Sequence, residues 1–357
     1  MTVFSNDAYD HHEHVAFGED RDSGLRAIIA VHNTKLGPAV GGCRMYPYAN
    51  DDEALRDVLR LSRGMTYKSA LAGLPFGGGK SVIIGHPHRD KTRQLMEAMG
   101  DFVNSLGGRY VAAEDSGTGV SDIKIMSTRT AHVSGLQEGA EFGGDPSPTT
   151  AYGVYLGIRT AVHYRLGADS MKGLRVAIQG LGNVGFHLAG LLKADGAVVC
   201  GADVVDANLQ RAVDAHAIEV IDPDDILTVE ADVLAPCAMG AVLTQKSINQ
   251  LRVGIVAGAA NNQLADESQA AHLWDRGILY CPDFLINAGG IIDVYHQRLG
   301  SEKSVMREHV DRIEANLQEI LYRSDRAGRS PHLIAEELAE EYLASATEED
   351  APRLAAY

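Results

Sequence analysis

Leu174-Arg175-Val176-Ala177-Ile178-Gln179-Gly180-Leu181-Gly182-Asn183-Val184-Gly185 reads as a strand that turns sharply and passes straight into a helix. The three glycines have G-x-G-x-x-G spacing. In a chain with 38 glycines that pattern alone is weak. Its flanks make it specific: the apolar run Leu174–Ile178 enters it and a helix-like run, Val184–Leu192, leaves it. Gly180 permits the tight turn, Gly182 lets backbone approach a pyrophosphate, and Gly185 lets the helix pack on the strand. Asn183 and Val184 open the helix whose free N–H groups receive the phosphates. Such a unit calls for an acid about 20 residues on, at the end of the next strand. Asp203 stands there, closing the apolar run Ala197–Ala202. Its carboxylate can accept from a ribose 2′-hydroxyl and would repel a 2′-phosphate. No Lys or Arg lies between Gly196 and Gln210, so NAD is expected rather than NADP.

Outward from this unit, short apolar runs recur at Val233–Ala235, Gly254–Val256 and Ile278–Tyr280, with helical segments between. That alternation predicts a parallel, doubly wound sheet. A helix from Thr149 to Tyr164 precedes it, after the Gly143–Pro148 stretch GGDPSP that marks a domain boundary. Two amphipathic helices are expected over Val305–Ala344, broken near Gly328–Pro331. The first 145 residues mix strands and helices. A hairpin spans Val15–Val31, and a helix starts at Asp51–Asp52, its end loosened by Gly64. Strands follow at Ser81–Ile84 and Tyr110–Ala113, with a helix from Lys91 to Leu106 between them. The expected architecture is therefore α/β: an N-terminal α/β catalytic domain (1–145) and a Rossmann-type domain (146–330) with a cleft between them, then a C-terminal helix and tail (331–357).

The formal net charge of −16 argues against nucleic acid or an anionic membrane as partner. No apolar run reaches membrane-spanning length. Met1–His14 is polar and rich in Asp and His, unlike an export signal, and the four cysteines include no CxxC pair. A cytoplasmic protein with reduced thiols is expected. His11, His12 and His14 with Glu13 lack further ligands, so no metal is expected. Cys237 reads as a packed small hydrophobe.

Two lysines stand in unusual company. Lys68 ends Arg63-Gly64-Met65-Thr66-Tyr67-Lys68, and Lys80 ends Pro75-Phe76-Gly77-Gly78-Gly79-Lys80 before an apolar run. Glycines there bring backbone close to something and set the amine at a strand entrance. A desolvated lysine beside another cation can act as a base near neutral pH, while the other amine holds a carboxylate. Asp115 follows the strand at Tyr110–Ala113, where active-site residues of α/β proteins gather.

These residues together resemble the glutamate, leucine, phenylalanine and valine dehydrogenase superfamily, the leucine-type enzymes most closely. The motifs are GPAVGGCRM (Gly37–Met45), RGMTYK (Arg63–Lys68), GGGK (Gly77–Lys80), AED (Ala113–Asp115), PSPTTAYGVY (Pro146–Tyr155), GLGNVG (Gly180–Gly185), APCAMG (Ala235–Gly240), AGAANNQL (Ala257–Leu264) and PDFLINAGG (Pro282–Gly290). The resemblance implies NAD-dependent, reversible oxidative deamination of an amino acid to its 2-oxo acid and ammonia. It makes Lys80 the base that activates water, and Asp115 a partner in proton transfer. Lys68, with the Gly41–Gly42 backbone, would bind the substrate carboxylate. Asn261 or Asn262 would lie near nicotinamide and substrate, and Thr150 and Ala238 would contact the cofactor. Val40, Ala113, Ile291 and Val294 would line an apolar side-chain pocket. Glutamate-specific relatives carry a lysine at the position of Val40 and a hydroxyl at that of Val294. Leucine and its branched neighbours are thus expected first, phenylalanine or tryptophan next and glutamate last. A symmetric homo-oligomer is implied. Cys43 and Ser116–Gly119 depart from the family pattern. A non-catalytic NAD-binding sensor is the rival from another class, and it would have no need of Lys68, Lys80 and Asp115 together.

Overall fold

The computed structural model describes residues 2–136, 145–238 and 240–346. They fall into two compact units, residues 2–136 with 339–346 and residues 145–338. Gly143 and Gly144 of the Gly143–Pro148 boundary stretch expected from sequence lie outside the described residues, as does Met239.

The first unit runs β1 (His14–Asp20), β2 (Leu25–Asn33), β3 (Ala39–Tyr46), α1 (Asp51–Leu71), β4 (Gly77–Ile84), α2 (Arg93–Ser105), β5 (Tyr110–Glu114) and α3 (Val120–Met126). Its sheet has the order β1-β2-β4-β3-β5. β1 pairs antiparallel with β2, and β2 with β4, whereas β4-β3 and β3-β5 are parallel. β2 is apolar from Ala27 to Val31 because both faces are covered there. Leu25, Ala27, Ile29 and Val31 pack with α2 and α3, and Ile28 and Ala30 pack with Leu55, Val58 and Leu59 of α1. Period-2 alternation therefore divides one strand between two cores.

Helix α1 begins where the sequence indicates. Asn50 caps it by accepting from the Glu53 N–H, and Asp51, Asp52 and Glu53 complement the positive end of its dipole. It does not end near Gly64. It runs on to Leu71, because Thr66, Tyr67 and Lys68 are buried against the sheet and that packing outweighs glycine's poor helix propensity. Gly77–Lys80, expected as a strand entrance, is itself the first half of β4. β3 was not legible as a strand at all.

The second unit runs α4 (Ser147–Leu166), β6 (Arg175–Gln179), α5 (Asn183–Ala194), β7 (Val198–Ala202), α6 (Asp206–His216), β8 (Glu219–Val220), β9 (Val233–Pro236), α7 (Gln245–Gln250), β10 (Ile255–Val256), α8 (Ser268–Asp275), β11 (Leu279–Tyr280), α9 (Asp283–Ile286), α10 (Gly289–Leu299), α11 (Lys303–Ala327) and the first half of α12 (Pro331–Ser345), whose residues from Ala339 on belong to the first unit. The sheet order is β11-β10-β9-β6-β7-β8, with parallel pairing throughout. This is the doubly wound order whose strand sequence reverses direction beside the first strand, here between β6 and β9. The G-x-G-x-x-G segment sits at the carboxyl end of β6, at that switch point.

Candidate active site

The parallel register fixes which side chains share a face. Val40 lies opposite Gly78 and Val111, and Gly42 opposite Ala113. Lys80 alternates with Ser81 along β4. Val40, Gly42, Lys80 and Ala113 therefore lie on the face covered by α1, and Cys43, Ser81 and Tyr110 on the opposite face. α1 comes so close to this face that a Cβ on Gly78 would strike Thr66. Its last turn carries Lys68. Lys68 and Lys80 are only 8% and 4% exposed, far from the usual state of a surface lysine.

The pattern of the sequence pointed to a second cation beside Lys80. The contact that the structure shows is with the Asp115 carboxylate, Lys80 Nζ lying 2.5 Å from Asp115 Oδ2. Asp115 is brought there by the turn after β5, where its N–H donates to Thr118 Oγ1, and Thr118 Oγ1 donates to the Cys43 carbonyl at 2.7 Å. Gly42 makes room for it, since a Cβ there would stand 2.6 Å from Asp115 Cβ. A cation that sequence alone did not single out also reaches Asp115. Arg44 Nε lies 3.4 Å from the same oxygen, while Arg44 Nη1 donates to Asp57 of α1 at 2.9 Å. Burial alone would push the Asp115 carboxyl up. Lys80 and then Arg44 more than offset it and hold the group down at about 2. Asp115 is thus an anion throughout the neutral range. Arg44 had one sequence signal: it is the one charge in GPAVGGCRM, a segment otherwise without charged side chains.

The departures from the family pattern are structural neighbours of this pair. Cys43 is wholly buried, and burial pushes its thiol up to about 12, so it is no nucleophile. The Ser116 carbonyl accepts from Met45 N–H, and the Gly117 carbonyl accepts from Lys91 Nζ. His12, from the histidine-rich start, is a core group bonded to the Leu59 carbonyl and Ser62 Oγ.

In the second unit Gly180 adopts φ +93°, and Ala238 packs on it so closely that a Cβ would stand 2.7 Å from that of Ala238. A Cβ on Gly185 would overlap the Gly180 carbonyl oxygen, whereas the space around Gly182 is open. Asn183 and Val184 form the first turn of α5. Asp203 Oδ2 accepts from Leu181 N–H at 2.7 Å, and Oδ1 from Val205 N–H at 2.8 Å. Arg211, the residue after Gln210, brings a positive charge to this loop. Its guanidinium lies 4.3 Å from the Phe186 ring centroid, with Nη2 3.4 Å from the Leu181 carbonyl. Thr150 Oγ1 donates to the Pro146 carbonyl and abuts Gly290 at the start of α10, the helix that also carries the half-buried Ile291 and Val294. The two asparagines differ. Asn261 Oδ1 accepts from Asn287 Nδ2 at 3.0 Å. Asn262 stands at φ +49°, and its buried Nδ2 has no hydrogen-bond partner among the described residues.

A mixed-sheet unit with a buried Lys–Asp pair and a doubly wound unit with a dinucleotide fingerprint together define a two-domain α/β oxidoreductase. The chain belongs to the Glu/Leu/Phe/Val dehydrogenase family. Residues 11–132 match that family's dimerisation domain, and residues 145–208 and 203–354 match its Glutamate/Leucine/Phenylalanine/Valine dehydrogenase domain. The chain is 44% identical over 335 residues to leucine dehydrogenase of Bacillus subtilis, covering 94% of this chain and 92% of the relative. It is 42% identical over 348 residues to valine dehydrogenase of Streptomyces virginiae, covering 97% of each. The crystal structure of L-tryptophan dehydrogenase from Nostoc punctiforme superposes with a TM-score of 0.76 at 38% identity, covering 94% of this chain and 97% of that one. The protein is an NAD(P)-dependent amino-acid dehydrogenase.

The coupling of Arg44 to Asp115 has a measurable signature. A carboxyl held at about 2 lies below its unfolded value of ~3.9, so its stabilising contribution is complete above that value and is lost as pH falls through the folded one. Arg44→Met should destabilise the protein by about 3 kcal/mol at pH 7. The deficit relative to wild type should narrow as pH is lowered from about 4 towards 2. Denaturant unfolding across that range checks it. A deficit constant with pH would uncouple the two residues.

Proposed function

We propose that the enzyme oxidatively deaminates an apolar L-amino acid, leucine and its branched neighbours first, with NAD, releasing the 2-oxo acid, ammonia and NADH. The observation that carries this reading is the buried Lys80–Asp115 pair on the sheet face that also carries Val40 and Ala113. The residues of the second unit suit a dinucleotide: open space at Gly182, the free N–H groups at the start of α5, and an unpartnered buried amide on Asn262. Asn262, rather than Asn261, is the side chain left to serve the cofactor and substrate. When bound, NAD accepts the hydride from the substrate Cα.

The protein's own groups do the rest. Lys68 and the Gly41–Gly42 backbone hold the substrate carboxylate. Asp115, anionic at neutral pH, holds the substrate ammonium and takes its proton. Lys80, acting as the neutral amine once its own proton has left to solvent, takes a proton from the water that attacks the imino carbon, and transfer of the proton held by Asp115 to nitrogen then releases ammonia. With Val40 buried in β3 and Val294 on α10, a substrate side-chain carboxylate would lack a partner, which costs several kcal/mol. A pocket difference of a methyl or two costs only ~1–3 kcal/mol, so aromatic substrates rank second and glutamate last. Similarity to leucine and valine dehydrogenases supports the first rank, and similarity to a tryptophan dehydrogenase supports the second. The match of the first unit to a dimerisation domain supports a homo-oligomer.

For the cofactor, Asp203 opposes a 2′-phosphate, while Arg211 is the local charge that could favour one. NADH formation measured with each of the twenty amino acids tests the whole reading. Leucine, isoleucine or valine should give the highest kcat/KM, with NAD well above NADP, and Asp203→Ala should narrow the gap between the cofactors. A kcat/KM for glutamate at or above that for leucine would overturn the argument from Val40. Comparable rates with NADP would overturn the argument from Asp203, and no NADH with any amino acid would leave a nucleotide sensor.

A further inference from the structure

Tyr110 is wholly buried in β5, on the sheet face away from Lys80. Its ring reaches past β3 to β4, where a Cβ on Gly79 would stand 2.7 Å from Tyr110 Cδ2. There the hydroxyl meets three oxygens: the Gly41 carbonyl at 2.8 Å, the Gly42 carbonyl at 3.3 Å and Ser81 Oγ at 3.0 Å. A phenol has one proton to give. The shortest acceptor is the Gly41 carbonyl, so Ser81 is placed to donate to the phenol oxygen. Cys43, beside Ser81, completes the buried polar chain. Burial pushes the Tyr110 phenol well above its ordinary value, so it remains a donor at any working pH.

Consecutive carbonyls of a regular strand point in opposite directions. One hydroxyl within reach of both the Gly41 and Gly42 carbonyls therefore means that this dipeptide is tilted out of the regular pleat on one side. That side faces β4: the β3–β4 ladder pairs Ala39 with Gly77 and Val40 with Gly78 and resumes only at Cys43 with Ser81, whereas the β3–β5 ladder pairs every residue from Ala39 to Cys43. Two glycines are required for the distortion. A Cβ on Gly41 would overlap the Gly79 carbonyl, and one on Gly42 would press on Asp115. In a trans peptide the N–H points opposite to the C=O. A Gly41 carbonyl drawn down to Tyr110 turns the N–H of Gly42 up, to the face that carries Lys80.

We propose that Tyr110 is a positioning residue for the substrate carboxylate. Its hydroxyl, seated by Ser81, holds the Gly41–Gly42 carbonyls on the buried face and so aims the N–H edge of that dipeptide at the substrate. This rests on the dehydrogenase reading above and extends it to a side chain that touches neither substrate nor cofactor.

The test is Tyr110→Phe in the full-length enzyme, which keeps the ring and removes one oxygen. Amino acid and 2-oxo acid share the carboxylate, so KM should rise about tenfold for both, the loss of roughly one good hydrogen bond. kcat should stay within about threefold, and KM for NAD, NADH and ammonium should not move, as expected when binding common to ground and transition states is removed. A purely structural role would lower the melting temperature and the active fraction without changing any KM, and that result would overturn the inference. Ser81→Ala should shift the same two KM values in the same direction by a smaller factor. If Tyr110→Phe does not fold, unchanged KM values in Ser81→Ala would overturn the inference instead. Wild-type enzyme that forms no NADH with any amino acid would overturn the dehydrogenase reading and this inference with it. An active wild type with an unaffected Tyr110→Phe would overturn the inference alone.

Discussion

A lysine and an aspartate buried in contact impose a demand that the rest of the first unit meets. Two charges taken out of water are expensive, and either one left alone would be more expensive still. Lys80 sits inside β4 because α1 covers that face of the sheet, and Asp115 arrives from the turn after β5. Bringing them together requires β3, the strand between β4 and β5, to be almost without side chains at its centre. Gly41 and Gly42 satisfy this, and Arg44, two residues on, returns a positive charge to the same carboxylate. The glycines of GGGK and GPAVGGCRM are thus one device: they let strands and catalytic groups approach closer than any Cβ allows.

The second unit meets a different constraint with the same economy. Its glycine-rich loop must stay open to phosphates while being fixed in shape. Gly182 is left open, and the Leu181 peptide is held at both ends, its N–H by Asp203 and its carbonyl by Arg211. Asp203 therefore shapes the loop. Arg211, exposed on α6 and spread over Phe186, places a positive charge on the same peptide.

Much of this was legible in sequence for physical reasons. Parallel strands covered on both faces are uninterrupted apolar runs, so β6, β7, β9, β10 and β11 stand out. The β1–β2 hairpin is announced by its turn residues, and the start of α1 by its acids. β3 was hidden because its middle, Val40-Gly41-Gly42-Cys43-Arg44, has one β-branched residue and no alternation. Gly64 suggested a helix end that tertiary packing overrides, and Gly77–Gly79 read as the approach to a strand rather than part of it, although a sheet neighbour on each side holds them extended. The residue types of the site were visible, but their contacts were not. Nothing in the spacing shows that Asp115 touches Lys80. Nor does it show that Asn261 is engaged by Asn287 while the amide of Asn262 is left over.

The role of the buried pair is tested most directly by Lys80→Ala, assayed for NADH formation from L-leucine at saturating substrate and cofactor. Unfolding and NAD binding are measured on the same preparation. With Lys80 as the base, kcat falls by several orders of magnitude while the variant stays folded and still binds NAD. Turnover near that of wild type would contradict the assignment, because a folded enzyme without this amine would then be moving the proton by another route.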